Sequence, residues 1–376
     1  MKKRVLVRVF IVLMILPIFV EAQEKDSLRI SKNNVNLWGY ADIYYGYNFN
    51  QPPSRVDGEM VNGNIFLYSH NRHNEFNINN GIVGLEYSKD RVRGAFALQS
   101  GTYVQYNYAA EPAVLRNIFE AYAGYMVANK LWIDAGIFAS HIGSESAISF
   151  NDLTLSRSMM ADNTPYYETG VKATYEVNDQ LLLTGLALNG WQNITDHNKN
   201  KALGSQIQYK PHEKVLINYS TFYGKEAGAY ENTTEIVNTD SLSTRRFFND
   251  LYVQATFNKL TILAAFDIGF QKKLNSNGDY VWWNPNLILK CNITDKIALA
   301  ARGEYYNDKN GVIINSGTVN GFQTFSGSLG LNLKLTEHMI WKIEGKAFES
   351  KDKVFINNAK TSNSSILVLS SVAFKF

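Results

Sequence analysis

Apolar and polar side chains alternate along most of this chain. In RVRGAFALQS, Val92, Gly94, Phe96 and Leu98 share one face, while Arg91, Arg93, Ala95, Ala97 and Gln99 share the other. The same period of two returns in KLTILAAFDIGFQ, where Leu260, Ile262, Phe266 and Phe270 oppose Thr261, Asp267 and Gln271, and again in KIALAARGEYYND. Side chains two apart point the same way only in a strand, so the pattern predicts β structure throughout. Sixteen strands are expected, running from 37–49 through a third at 91–106 to a last at 364–376. Most span about 10 to 14 residues, longer than the usual 5 to 6 of soluble strands and enough for the 9 to 11 that a tilted strand needs to cross a bilayer. Seven short turns, such as SKDR near Asp90 and FNK near Asn258, alternate with eight long loops.

The expected fold is therefore all-β: a transmembrane antiparallel β-barrel of about sixteen strands, within a range of 14 to 18, with short periplasmic turns and long extracellular loops. Backbone groups left unpaired in hydrocarbon cost several kcal/mol each, so the last strand must close on the first, LWGYADIYYGYNF. There Tyr40, Asp42 and Tyr44 should face the lumen, and Ile43, Tyr45 and Tyr47 lipid. Trp38, Tyr87, Trp132, Tyr175, Trp191, Trp283 and Trp341 are expected in the interfacial girdles.

The N-terminus adds a destination. MKKRVLVR is basic, VFIVLMILPIFV is apolar, and Val20-Glu21-Ala22 suits cleavage, so residues 1–22 read as a signal peptide. Residues 23–36 would be a periplasmic extension and 37–376 the outer-membrane barrel. Cleavage removes four of the 37 basic and one of the 34 acidic residues, leaving 33 of each. A net charge of zero gives no field for nucleic acid, and any charge selectivity must be local. The single cysteine, Cys291, excludes an intrachain disulfide framework and shares the lipid-facing side of its strand with Leu287, Leu289 and Ile293.

WGYADIYYGYNFNQP, NRHNEFNINNGIVGLEY, the segment GIFASHIGSESAISFNDLTLSRSMMADNTPYYETGVKATYEV and the aromatic terminus together resemble the OmpL-like outer-membrane β-barrel porins of Gram-negative Bacteroidota. The resemblance covers nearly the whole mature chain and implies a porin. It also implies that the third long loop, residues 141–165, folds into the lumen as a constriction carrying Glu145, Asp152, Arg157 and Asp162. Asn151 or Asp152 is expected to cap a short helix over LTLSRSMMAD. The C-terminal Phe374 and Phe376 look like the assembly signal engaged by the barrel-assembly machinery.

Inward faces supply the expected pore lining: Arg93, Arg116, Glu120, Asp134, Glu168, Lys172, Asp267, Lys290, Arg302, Glu304, Lys342, Glu344 and Lys346. Spacing of two on one face favours local pairing of Arg302 with Glu304 and of Lys342 with Glu344. Replacing lipid-facing Leu299 or Ile262 by arginine should cost more than replacing Arg302 by leucine. His70 and His73 read as solvated loop residues, not metal ligands. His141 beside Ser140 and Ser144 lacks a G-x-S-x-G elbow, and neither Walker nor Rossmann glycines occur, so no catalytic residue, metal or cofactor is assigned.

These readings converge on a porin for passive diffusion of small hydrophilic solutes, with outer-membrane lipids and the assembly machinery as partners and a homotrimer as the assembly that general porins suggest. A loop-plugged adhesion or anchoring scaffold is the alternative, and an outer-membrane hydrolase the third.

Overall fold

A computed structural model describes residues 34–53, 55–56, 59–60, 64, 66–228, 242–358 and 360–376. The expected signal peptide lies outside them, as does nearly all of the 23–36 extension. Sixteen antiparallel strands close a barrel in chain order. We number them β1 Val35–Asn48, β2 Glu75–Lys89, β3 Val92–Ser100, β4 Ile118–Ala128, β5 Leu131–Ala139, β6 Tyr167–Asn178, β7 Leu181–Leu188 and β8 Ala202–His212. The second half comprises β9 Val215–Glu226, β10 Thr244–Phe257, β11 Leu260–Lys272, β12 Asp279–Asn292, β13 Ile297–Asp308, β14 Phe322–Lys334, β15 Met339–Ser350 and β16 Ser364–Lys375. Among the described residues no helix is long and apolar enough to cross a membrane.

The seam runs from Tyr40 opposite Lys375 to Asn48 opposite Leu367. Gly39 and Phe376 extend it by exchanging backbone hydrogen bonds of 3.1 Å. The terminal strand is thus paired to its last residue, and the sheet has no free edge. Ile43, Phe96, Leu98, Phe266, Leu299 and Leu329 project outward, exposed, as a lipid-facing belt should, whereas Tyr40, Asp42 and Tyr44 are buried inside. A bulge in β2 opposite Asp42 turns both Asn79 and Asn80 inward.

Three expectations fail for local reasons. The third strand stops at Ser100 because Gly101 adopts φ 144°, where a Cβ would lie 2.4 Å from the Asn79 carbonyl oxygen. The chain then forms α1 (Thr102–Asn107) and α2 (Ala113–Arg116), packing Tyr103, Val104 and Tyr108 on Ala147 and Tyr167. Arg116 is consequently not on the wall: it closes α2 and donates to the Glu111 and Ala109 carbonyls. Of the proposed girdle, Trp38 and Trp132 face inward, against Phe119 and under Arg93 respectively, and Trp191 lies beyond β7 on Phe222 and Phe248.

A barrel this wide leaves a lumen that wall side chains alone do not fill. Here loops enter it. Leu67, Ile142, Leu155, Met159, Val312, Ile314 and Phe355 from four loops pack against Phe248, Trp282, Phe322 and Phe348 of the wall. The molecule therefore has an apolar core inside the barrel as well as an apolar belt outside it.

Candidate functional site

Residues 140–166 join β5 to β6, and their start is fixed by His141. Its Nδ1 lies 2.9 Å from Glu168 and its Nε2 donates to the Thr221 carbonyl at 2.9 Å, four strands along the wall on β9. Burial alone would lower its pKa, but Glu168 and the Thr221 carbonyl raise it above the ordinary value. Both ring nitrogens are committed, and neither serves Ser140 or Ser144.

The middle of the loop is organised by wall charges. Lys342 donates to the carbonyls of Ser149, Asp152 and Thr154 at 2.6, 2.7 and 3.2 Å, and Lys346 to that of Arg157 at 2.8 Å. Arg302 reaches the Ser156 carbonyl at 2.9 Å and the Thr154 hydroxyl at 3.1 Å. In the opposite sense, Glu344 accepts from the Leu155 and Ser156 amides at 2.7 and 2.9 Å, and Glu304 from the Met159 amide at 2.6 Å. A helix over 153–162 would consume internally the Thr154, Ser156 and Arg157 carbonyls and the Ser156 and Met159 amides. This is why the helix is only α3, Met159–Asp162, capped by the Ser158 hydroxyl rather than by Asn151 or Asp152.

Asp152 instead forms an ion pair with Arg157 Nε at 3.2 Å and accepts from the Ser146 amide at 2.9 Å. Glu145 accepts from the Ser158 amide and pairs with Arg302 at 3.3 Å. Arg302 also pairs with Glu344 at 3.2 Å and approaches Glu304 at 3.4 Å, as an ion pair without hydrogen-bond geometry. The expected Lys342–Glu344 pair does not form. Lys346 approaches Glu304 at 3.3 Å across β14, whose inward residues there, Ser326 and Ser328, are small enough for longer side chains to meet above them.

Four cations, Arg157, Arg302, Lys342 and Lys346, thus share the site with five carboxyl groups: Glu145, Asp152, Asp162, Glu304 and Glu344. Asp162 relieves the excess. Burial pushes it up to about 7, with Lys346 and Arg157 opposing and Glu145 reinforcing the shift. A second anchor lies at the seam. Buried Asp42 accepts from His70 at 2.8 Å, Asn79 at 3.1 Å, Ser149 at 2.7 Å, and Tyr40 and Ser371 as well. His70 is fully buried here, not solvated, because the loop after β1 turns into the barrel.

Two cavities flank the inserted loop. An outer one of about 560 Å³ is lined by Tyr106, Asn107, Asp162, Asn163, Thr164, Trp191 and Arg246. An inner one of about 360 Å³ is lined by Tyr108, Phe119, Gly143 to Ile148, Pro165, Tyr166 and Tyr252. Asn107 and Thr164 face one cavity while their chain neighbours Tyr108 and Pro165 face the other. The partition between the cavities is therefore thin.

The remaining expected wall residues do face inward. Arg93 forks onto Asp134 at 2.7 and 2.5 Å and lies over the Trp132 ring; Lys172 lies 4.4 Å from the Phe138 ring centre. Glu120 stands opposite buried Ala97, Lys290 opposite Thr261 and Ala300, and Asp267 opposite Asp250. Phe374 and Phe376 are exposed at the barrel's end with ring centres 5.9 Å apart. Sequence reasoning missed Asp250 and the role of His70. The signal for Asp250 was its inward parity with Tyr252; for His70 there was none before the loop's course was known.

A closed sixteen-stranded barrel with an inserted, charge-anchored third loop defines an outer-membrane porin. Residues 34–376 match the family described as "Putative beta-barrel porin-2, OmpL-like", and the chain belongs to it. Among solved structures it is similar to OmpF of Salmonella typhi in complex with daunomycin, at 10% identity, covering 92% of this chain and 98% of that one, with a TM-score of 0.60. OmpT of Vibrio cholerae in its trimer form is similar at 8% identity, covering 91% and 99%, with a TM-score of 0.58. An anion-selective porin from Comamonas acidovorans is similar at 11% identity, covering 91% and 99%, with a TM-score of 0.57. No curated protein matches the chain in sequence.

Proposed function

We propose that this barrel passes small hydrophilic solutes by passive diffusion, with the inserted third loop as its size filter. The observation that carries the reading is the pair of luminal cavities separated only by the partition at residues 107–108 and 162–166. Charge at the partition comes from Asp162 and Arg246 on the outer side and from Glu145 on the inner side. Sieving by a narrow polar passage needs no catalytic group. Export by a cleaved leader over residues 1–22, recognition of Phe374 and Phe376 by the assembly machinery, a lipid-embedded homotrimer like the OmpT trimer, and origin in the Bacteroidota belong to the same reading.

Purified protein in a planar bilayer should give ohmic steps that are small, because loops occupy much of the lumen. Tyr166→Ala, which thins the partition, should raise the unit conductance severalfold without changing the heat-modifiable folded fraction. The apolar cluster of loop and wall residues inside the barrel favours a second reading, a plugged scaffold. A correctly folded barrel that stays silent, in wild type and Tyr166→Ala alike, would sink the porin reading and leave the scaffold.

A further inference from the structure

We propose that the inner wall of β10 to β12 holds a calcium-type divalent cation between Asp250 and Asp267. The two aspartates are directly opposite in the β10–β11 register, and Asn284 is directly opposite Asp267 on β12. Directly opposed residues place their Cβ atoms about 4.5 to 5.5 Å apart, and like charges so placed repel. The two carboxyl groups are within hydrogen-bonding reach of each other, and all three residues are at least 97% buried.

Asp250 uses one carboxylate oxygen to accept from the Gly143 amide at 3.3 Å and Asn218 Nδ2 at 3.1 Å. Apart from the contact between the two carboxyl groups themselves, its other oxygen, both oxygens of Asp267 and Oδ1 of Asn284 accept no hydrogen bond from a described residue. The Asn284 amide nitrogen is committed to the Tyr305 carbonyl at 2.7 Å, which leaves its oxygen as the free end. Among the described residues His141 is the cation that bears on Asp250, and its nitrogens already serve Glu168 and Thr221.

Two carboxylates in contact, away from bulk water, do not both remain ionised unless a cation or a proton lies between them. Four oxygens from three side chains, without another donor among the described residues, form a hard-ligand set. Calcium takes six to eight oxygens in flexible geometry and completes its shell with water, whereas magnesium demands a near-ideal octahedron. Water has a route: Gly143 and Tyr252 line the inner cavity, and they touch Asp250 and lie two residues from it on the same face, respectively. The site does not depend on whether the barrel conducts.

The test uses the full-length mature barrel, refolded free of lipopolysaccharide, stripped with EDTA and titrated with Tb³⁺ under tyrosine excitation. Sensitised emission should saturate at one ion per folded barrel and be displaced by Ca²⁺. Asp267→Asn should weaken Tb³⁺ binding at least 10- to 100-fold, the loss that even supporting residues of metal sites produce. Asn284→Ala, which leaves both carboxylates in place, should weaken it less and guards against a folding defect in the first variant. Ca²⁺ should raise the unfolding temperature of wild type but not of Asp267→Asn. The proposal is overturned if folded wild type shows no stoichiometric emission, or if Asp267→Asn titrates like wild type. It is equally overturned if Ca²⁺ leaves the unfolding temperature of wild type unmoved, the result expected of a pair that shares one proton instead of a cation.

Discussion

Two patches of the inner wall, a quarter of the barrel apart, treat buried charge in opposite ways. On β13 and β15, Arg302, Lys342 and Lys346 alternate with Glu304 and Glu344, and every one of them touches the inserted loop or an opposite charge. On β10 and β11, Asp250 and Asp267 face each other, and no lysine or arginine among the described residues pairs with either. The first patch is complete within the chain; the second is completed from outside it. Buried ion pairs add little net stability over apolar packing but are costly to break singly. The anchoring patch is therefore best understood as a device that fixes where the loop lies.

The largest effect should follow from breaking the first patch. Arg302→Met leaves Glu145, Glu304 and Glu344 without their shared cation and should cost about 3 to 5 kcal/mol, measured by urea unfolding followed through heat-modifiability, with noisier and larger conductance steps. This reverses the expectation, reasoned from strand facing alone, that losing Arg302 would be milder than a charge on the lipid face. Leu299→Arg should cost about 2 to 4 kcal/mol near the midplane. An Arg302 variant milder than Leu299→Arg would show that the network is dispensable.

A smaller effect should come from titrating the loop itself. Asp162 is pushed up to about 7 by burial, so it is largely neutral below that pH and anionic above. Cation preference, read from reversal potentials, should rise between pH 6 and 8 in wild type and stay flat in Asp162→Asn. The smallest effect belongs to the second patch. Without divalent cations Asp267→Asn should change stability by no more than about 1 kcal/mol, and in the stabilising direction, because it removes a directly opposed like charge.

Much of this architecture was legible from alternation. Period two located all sixteen strands and sorted Phe96, Leu98, Phe266 and Leu299 from Arg93, Asp267 and Arg302 correctly, because hydrocarbon and lumen impose opposite demands on neighbouring residues. Alternation failed where the chain left the sheet. Arg116 carried the right charge at the expected start of the fourth strand, but α2 runs through it and that strand begins only at Ile118. Trp38 and Trp132 obeyed the aromatic statistics of the girdle and faced the lumen, where Phe119 and Arg93 receive them. Nor could spacing show that Lys342 would choose three carbonyls over Glu344, since main-chain acceptors carry no sequence signature. His70 found Asp42 through the course of a loop, which no local pattern encodes.

Asp42 has one more consequence, and it concerns time. It joins β1 to Asn79, His70, Ser149 and Ser371, partners as far as 329 residues apart, while the loop's Leu155 bonds Glu344 189 residues onward. Contacts so distant in sequence form slowly, because long stretches of chain must be closed before they give any return. The third loop is synthesised before half the strands that hold it exist. Its anchors on β1 and β6 come before it or soon after it in the chain, but those on β13 and β15 come from far along it, so that the loop is fully placed only when the wall is nearly closed.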